Sequence, residues 1–348
     1  MTRDAPTPVT VADPDADAAA GGTPLPAVES DRYVLEREIG SGGMGRVFAA
    51  SDLRLERPVA IKMLRVRDAG LIARFEREVK LAARLQHPGV VPVYDAGFWP
   101  SGEPYLVMKL VLGQSFGRVI RDAETPADRL ALLPHVLVAA EAVAYAHDQG
   151  VVHRDLKPIN ILVGAFGETI VLDWGLAKDL RGVVDDQAVA PSIPAAPSGA
   201  DTVAGAVLGT PSYMAPEQAA GRPVDARADV YALGAILYHV LAGTAPHPPS
   251  IVRPNEPPRP AAVPLSELET WLPPDLRAIV EKAMAADPQS RYPTAFELAE
   301  DLRRFQAGQL VGARSYSRAT RAARFVGRHP VATVAAVAAA AIALLAGR

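Results

Sequence analysis

Three residues in one short stretch, Asp155, Lys157 and Asn160, have the chemistry of phosphoryl transfer. The carboxylate can accept and orient a hydroxyl, the ammonium can meet charge on a moving phosphoryl group, and the amide oxygen can hold a hard cation such as Mg²⁺. A second acidic residue, Asp173, follows at the end of an apolar run and is the natural second metal ligand. The stretch therefore predicts a phosphoryl-transfer site.

A glycine-rich run with the spacing GxGxxG lies upstream, from Gly40 to Gly45. This spacing also marks dinucleotide-binding turns, where a helix follows the glycines. Here a short apolar run follows instead and leads to a second strand-like run, Pro58–Leu64, that contains Lys62. Strand, glycine turn and strand favour a hairpin whose backbone closes over nucleotide phosphates.

These motifs resemble those of protein kinases. The run HRDLKPIN from His153 resembles the kinase catalytic loop in its Ser/Thr form, and LDWG from Leu172 resembles the metal-binding motif. Other kinase motifs occur in family order: GSGGMG, VAIK, APE, DVYALG and a late Arg291. The resemblance covers about residues 32–307 and implies a two-lobed α+β kinase fold, with a small β-rich lobe (about 32–110) and a larger helical lobe.

The resemblance assigns roles to single residues and implies ATP and Mg²⁺ as cofactors. Asp155 orients a Ser/Thr hydroxyl, Lys157 stabilises the transferring phosphoryl group, and Asn160 and Asp173 hold Mg²⁺. Lys62 aligns the α- and β-phosphates. The implied ATP-binding set is Ile39, Gly40, Ser41, Gly42, Gly43, Met44, Gly45, Arg46, Val47, Lys62 and Glu78.

Residues 71–86 have the apolar spacing of one helical face, with apolar side chains at positions 72, 75, 79, 82 and 85. On that helix, Glu78 matches the family's glutamate that pairs with Lys62. Glu76 is the nearest rival for this role. Two further strands are predicted, Val90–Tyr94 and Pro104–Val111.

By the same resemblance, Met108 lines the back of the adenine pocket, and residues 109–111 form the hinge whose backbone bonds adenine. Many relatives have Glu where this chain has Lys109. We expect backbone recognition of adenine to survive that difference, while ribose contacts can change.

Several neighbours are predicted to support the site. His153 is interpreted as a packing and hydrogen-bonding residue, since no second His stands at ligand spacing. Asp229 resembles the buried aspartate that holds the catalytic-loop backbone, and Arg291 is expected to pair with Glu217. Trp174 replaces the usual Phe and is expected to keep the apolar contact under the helix that carries Glu78.

The segment between Asp173 and the APE motif contains the candidate regulatory residues. Its Pro-, Ala-, Gly- and Ser-rich middle carries three candidate phosphorylation sites, Thr202, Ser198 and Ser192, with Thr202 favoured. Arg154, directly before Asp155, commonly receives such a phosphate in this family. Thr210 matches the Thr that bonds the catalytic Asp and Lys and marks Ser/Thr preference.

Composition excludes few functions. The chain has 348 residues, a net charge of −3 and no Cys, so it has no domain-wide basic bias and we expect no nucleic-acid partner. The absence of Cys excludes disulfides and thiolate metal sites. Residues 1–31 are rich in Ala, Pro, Asp and Thr and predict a disordered tail rather than a signal peptide.

The C-terminal residues differ in character from the rest. A basic segment, 308–329, has arginines at 314, 318, 321, 324 and 328, which would share one side of a helix. Residues 330–347 carry no charge and predict a single transmembrane helix, with the kinase domain on the cytoplasmic side. Because nine of those residues are Ala, a soluble helix packed on the kinase is the alternative.

The pattern as a whole resembles bacterial transmembrane Ser/Thr kinases. It implies a signalling enzyme that phosphorylates protein Ser/Thr hydroxyls and its own activation segment, with dimerisation allowing one copy to phosphorylate another. The rival interpretation is a pseudokinase, a membrane-held scaffold without turnover. A small-molecule kinase is a third, which the GTPSYMAPE run disfavours because it resembles a platform for protein substrates.

Overall fold

The computed structural model describes the chain over residues 32–42, 45–64, 69–174, 177–179, 211–247, 262–268 and 271–317. Several predictions concern residues outside these ranges. They are those for the N-terminal tail 1–31, Gly43, Met44, Ser192, Ser198, Thr202, Thr210 and the apolar run 330–347.

The N-terminal part is one antiparallel sheet with the strand order β1-β2-β3-β5-β4. Its central strands carry continuous buried runs, Val59–Ile61 and Pro104–Val107. A small core on one face contains Tyr33, Ile61 and Tyr105. The strands are β1 (Tyr33–Gly42), β2 (Gly45–Asp52), β3 (Arg57–Leu64), β4 (Val93–Phe98) and β5 (Pro104–Lys109).

The other face of the sheet is covered by the helix α1 (Ala69–Arg84). Phe75 and Val79 of this helix are buried against Leu64 and Leu106 of the sheet. The predicted helix is therefore confirmed, two residues earlier than the sequence pattern placed it. It holds Glu78 toward the middle of the sheet.

The predicted strand Val90–Tyr94 is wrong over its first half. Val90 makes only an isolated parallel bridge with Val171, and the Val91 amide donates to the Val171 carbonyl at 3.3 Å. Pro92 has no amide hydrogen to continue a ladder, so β4 begins at Val93. Val90 and Val91 are apolar because they are buried where the two lobes join.

The C-terminal lobe is built from helices around α6, which is apolar on nearly all sides and buried along most of its length. Asp225 caps its start, and Gly243 ends it with a φ of 71°. The helices are α2 (Phe116–Asp122), α3 (Pro126–Ala131), α4 (Leu133–Asp148), α5 (Pro216–Ala219), α6 (Ala226–Ala242), α7 (Leu265–Leu268), α8 (Pro274–Ala283) and α9 (Ala295–Gln306).

Short strands carry the site residues between these helices. A three-stranded sheet has the order β6-β8-β9, and β7 pairs with β10. The strands are β6 (Gly113–Ser115), β7 (Val151–Val152), β8 (Ile161–Gly164), β9 (Thr169–Val171) and β10 (Lys178–Asp179). The two-lobed kinase-type architecture expected from the motifs is therefore present.

Among the described residues, the stretch Pro126–Asp148 is long and apolar enough to cross a membrane by length and composition alone. Most of it is α4, which packs against α6 and α9. Its buried residues belong to the core of the C-terminal lobe, which accounts for its apolar composition.

The first part of the predicted basic segment differs from expectation. Residues 308–317 are not helical. Val311 is buried, and the side chain of Arg314 forms an ion pair with Asp275 of α8 at 2.9 Å. The helical spacing of the arginines is therefore not realised at Arg314, because local contacts with the lobe hold the chain there.

Candidate active site

The glycine-rich run forms the predicted hairpin rather than a strand-to-helix turn. Ile39, Gly40, Ser41 and Gly42 lie on β1, and Gly45, Arg46 and Val47 lie on β2, with Gly40 opposite Val47, Ser41 opposite Arg46 and Gly42 opposite Gly45. A Cβ at position 45 would lie 2.2 Å from the Met63 carbonyl oxygen of β3, so only glycine fits there.

Lys62 connects the two lobes. It lies on β3, and its Nζ is 2.6 Å from Glu78 Oε1 and 3.1 Å from Asp173 Oδ1. The predicted contact between Lys62 and Glu78 is therefore present. In the part of the chain that the structure describes, Glu78 and not Glu76 is the glutamate that contacts Lys62, and Glu78 is buried against the sheet.

The charges of this cluster stabilise one another. Burial opposes the ammonium of Lys62, but the carboxylates of Glu78 and Asp173 outweigh burial and raise its pKa. Burial likewise disfavours the Asp173 carboxylate, yet the nearby Lys62 ammonium lowers its pKa overall. Lys62 is therefore cationic and Asp173 anionic at neutral pH.

The catalytic-loop residues meet around Asp155. Lys157 Nζ lies 2.8 Å from Asp155 Oδ2, and Asn160 Nδ2 donates to the Asp155 carbonyl at 2.9 Å. The Leu172 amide donates to the Asn160 carbonyl at 2.8 Å, which holds the strand leading to Asp173 beside the loop. The four residues predicted to do chemistry are thus brought to one place.

Asn160 and Asp173 have the donor atoms that suit a hard cation. The Asn160 amide nitrogen is committed to the Asp155 carbonyl, so its side-chain oxygen is the atom left to accept. About half of the Asp173 side chain is exposed. Among the described residues, no group of three or more His, Cys, Asp or Glu side chains could hold a metal ion.

Asp229 holds the backbone of the catalytic loop through hydrogen bonds. Its carboxylate accepts from the His153 amide at 2.7 Å and from the Arg154 amide at 2.8 Å, as the motif implied. Arg154 has a φ of 68°, a left-handed conformation that non-glycine residues adopt only under constraint. The Gln218 side chain donates to the Arg154 carbonyl at 2.6 Å, so this residue is held from both sides.

His147 was missed by sequence reasoning. Its Nε2 lies 2.9 Å from Asp229 Oδ2, and its Nδ1 accepts from the Ala295 amide at 3.3 Å. Because Nδ1 accepts, Nε2 carries the proton that is donated to Asp229. A single His near the end of a helix carries no sequence signal for this role, since its partners lie 82 and 148 positions away.

His153 has the predicted packing role. It is buried, its Nε2 lies 3.0 Å from the Leu172 carbonyl oxygen, and its ring contacts Trp174 with centroids 4.6 Å apart. Trp174 belongs to the same core cluster as Leu81 of α1 and Leu85, which directly follows that helix.

The expected pair of Glu217 and Arg291 is present and buried. Two guanidinium nitrogens of Arg291 lie 2.7 and 2.8 Å from the two Glu217 oxygens. This bidentate geometry fixes α5 to the base of the lobe. Gln218, whose side chain donates to the Arg154 carbonyl, directly follows Glu217 on α5.

The hinge follows β5. Met108 pairs with Ala60 of β3, and the Lys109 amide donates to the Pro92 carbonyl at 3.1 Å. Residues 110 and 111 come directly after the end of the strand, at the junction of the two lobes.

Comparisons with known proteins agree with this geometry. The protein kinase domain family matches residues 33–301. The serine/threonine-protein kinase PknB of Mycobacterium tuberculosis is 40% identical over 294 residues, which cover 82% of this chain and 44% of that protein. A probable serine/threonine-protein kinase of Corynebacterium efficiens, CE0033, is 38% identical over 307 residues, which cover 85% of this chain and 43% of that protein.

A solved structure is also similar. The Mycobacterium tuberculosis PknI kinase domain is 28% identical, with a TM-score of 0.58, and the match covers 80% of this chain and 97% of that domain. The chain spans less than half the length of the curated relatives it matches. The matched region contains the five-stranded sheet and every residue of the candidate active site described above, and the chain belongs to the protein kinase domain family.

Proposed function

We propose that this chain is an ATP-dependent protein Ser/Thr kinase that transfers the γ-phosphoryl group of ATP to protein hydroxyls, with a signalling role. The observation that carries the proposal is the cluster around the cleft. Lys62 contacts both Glu78 and Asp173, while Lys157 and Asn160 both contact Asp155.

In the proposed reaction, Asp155 orients the substrate hydroxyl through a hydrogen bond and accepts its proton as the new oxygen–phosphorus bond forms. The hydroxyl oxygen attacks the γ-phosphorus of ATP, the bond from that phosphorus to the β–γ bridging oxygen breaks, and ADP leaves. The Lys157 ammonium, 2.8 Å from Asp155, stabilises negative charge on the moving phosphoryl group.

Lys62 and the glycine hairpin hold the nucleotide. The ammonium of Lys62, kept charged by its two carboxylates, pairs with the α- and β-phosphates, and backbone amides of the hairpin cover them. Asn160 and Asp173 would hold Mg²⁺, which neutralises phosphate charge when it is bound.

Activation is proposed to involve phosphorylation of Thr202, Ser198 or Ser192, which lie in the sequence between Asp173 and the APE motif. Arg154 is the proposed receiver of the phosphate. Its backbone is fixed by Asp229 and Gln218, so a charge-assisted bond to its guanidinium would order the segment next to Asp155.

Membrane attachment is proposed from composition alone. The uncharged run 330–347 would span the bilayer once, and the preceding arginines would keep the kinase domain on the cytoplasmic side. Two copies in one membrane could then phosphorylate each other.

Autophosphorylation should therefore speed up with the surface density of the chain in vesicles, and a rate independent of density would contradict the dimer proposal.

The kinase proposal predicts the behaviour of Asp155→Asn. Asn cannot accept the hydroxyl proton as a carboxylate does, so phosphoryl transfer should fall by roughly 100- to 10,000-fold. Lys62 and Glu78 are untouched, so binding of a fluorescent ATP analogue should stay within about threefold. Intact-mass spectrometry after incubation with Mg²⁺-ATP measures the first effect.

Wild type and Asp155→Asn are compared with and without ATP. Added phosphates in the wild type alone support the kinase proposal. If the wild type binds the nucleotide but gains no mass and labels no protein substrate, the chain is a scaffold and the proposal is wrong.

His147 gives a second prediction. His147→Phe removes the donor to Asp229, so kcat should fall by about tenfold or more while the KM for ATP changes little, because the nucleotide contacts lie elsewhere. His147→Gln keeps one donor and one acceptor and should restore most of the rate.

The matched control is His135→Phe. His135 lies on the same helix and bonds Thr169 at 2.7 Å, away from the catalytic loop. The His135→Phe substitution should lower the unfolding temperature without lowering the kcat of the folded protein. Equal loss of kcat in both Phe variants would show that His147 acts only through stability.

A further inference from the structure

The chain reverses direction after α9. Gly308 has a φ of 67°, and the Gly308 and Gln309 amides donate back to the carbonyls of Phe305 and Arg304. A left-handed glycine after a helix allows this turn at little cost. Residues 309–317, called the strap here, then run back along the lobe.

The strap is bonded to α9 through Asp301. The Gly312 amide donates to Asp301 Oδ1 at 2.6 Å, and the Ala313 amide donates to Oδ2 at 2.8 Å. The Tyr292 hydroxyl donates to the same carboxylate at 2.9 Å. Asp301 is only 3% exposed, so the strap supplies two of the donors that a buried carboxylate requires.

The strap is bonded to α8 as well. Arg314 Nη1 lies 2.9 Å from Asp275 Oδ1, and Asp275 is also 3% exposed. Between these polar contacts, the Val311 side chain is buried in the core of the lobe, and its amide donates to the Tyr316 hydroxyl at 3.1 Å. One short segment therefore contacts two buried acids on two neighbouring helices.

Glycine at position 312 allows the strap backbone to approach α9 closely. A Cβ at position 312 would lie 3.2 Å from Asp301 Oδ1, so glycine lets the strap backbone reach the carboxylate. If the strap left the lobe, Asp301 would lose two hydrogen bonds and Val311 would be exposed to water. Buried carboxylates that lose donors are costly, so the bound position is favoured.

We propose that the face formed by α8 and α9 is a docking surface for the strap, which braces the two helices and fixes where the chain leaves the kinase domain. The matched family region ends at residue 301, so the strap lies beyond that region. The arginine-rich residues after Ser317 then start from a fixed point on the lobe.

The strap is also connected to the candidate active site, through α9. Asp301 lies near the middle of α9, and Ala295 at the start of the same helix donates to His147, which contacts Asp229. Only twelve residues separate Ser317 from Pro330, so the docked strap keeps residue 330 within about 47 Å of Ser317.

Hydrogen–deuterium exchange of the full chain tests the docking. In the wild type, the Gly312 and Ala313 amides should exchange at least about tenfold more slowly than in an unstructured peptide. Arg314→Ala removes the contact with α8 and Val311→Asp places a charge in the core, so each should speed this exchange. Ser315→Ala, at an exposed strap position, is the matched control and should leave it unchanged.

Thermal unfolding tests the bracing. Val311→Asp should lower the unfolding midpoint by roughly 4–8 °C and Arg314→Ala by about 2–4 °C. Free exchange of Gly312 and Ala313 in the wild type would show that the strap is not docked. Fast exchange in both variants with no change in the midpoint would show a strap that braces nothing. Either result would overturn the proposal.

Discussion

The buried carboxylate of Asp229 is the constraint on which the site depends. It accepts hydrogen bonds from the backbone of His153 and Arg154 and from the His147 ring. Burial alone would favour the neutral acid, but the hydrogen bonds from the His147 ring and the His153 amide lower the pKa of Asp229. A charged acceptor at the centre of the lobe thus holds Arg154 in a left-handed conformation that costs about 1–3 kcal/mol, and Asp155 follows directly.

A second ion cluster joins the two lobes at the same cleft. Lys62 on the sheet contacts Glu78 on α1 and Asp173 next to the catalytic loop. Because Asp173 is tied to Asn160 through the Leu172 amide, the nucleotide side and the hydroxyl side of the cleft are positioned relative to each other. Neither the nucleotide side nor the hydroxyl side of the cleft would suffice alone for the proposed phosphoryl transfer.

Local patterns predicted most of the contacts within the candidate active site. The spacing of Asp155, Lys157 and Asn160 and the helical pattern around Glu78 are properties of short stretches, and all were found where expected. What the sequence did not reveal depends on contacts between distant residues. Val90 is apolar because it meets Val171 rather than a strand of the first sheet, His147 matters through Ala295, and Arg314 is held by Asp275 rather than by helical spacing.

The most direct test of this account is Asp229→Asn in the full chain, measured by hydrogen exchange at His153 and Arg154 together with single-turnover phosphoryl transfer. Asn replaces one carboxylate oxygen with an NH2 donor, so one of the two backbone N–H groups that Asp229 accepts from would lose its acceptor. We expect faster exchange at both amides and a rate lower by about 100-fold, with ATP affinity nearly unchanged. Unchanged exchange and an unchanged rate would contradict the claim that Asp229 holds the catalytic loop in its working position.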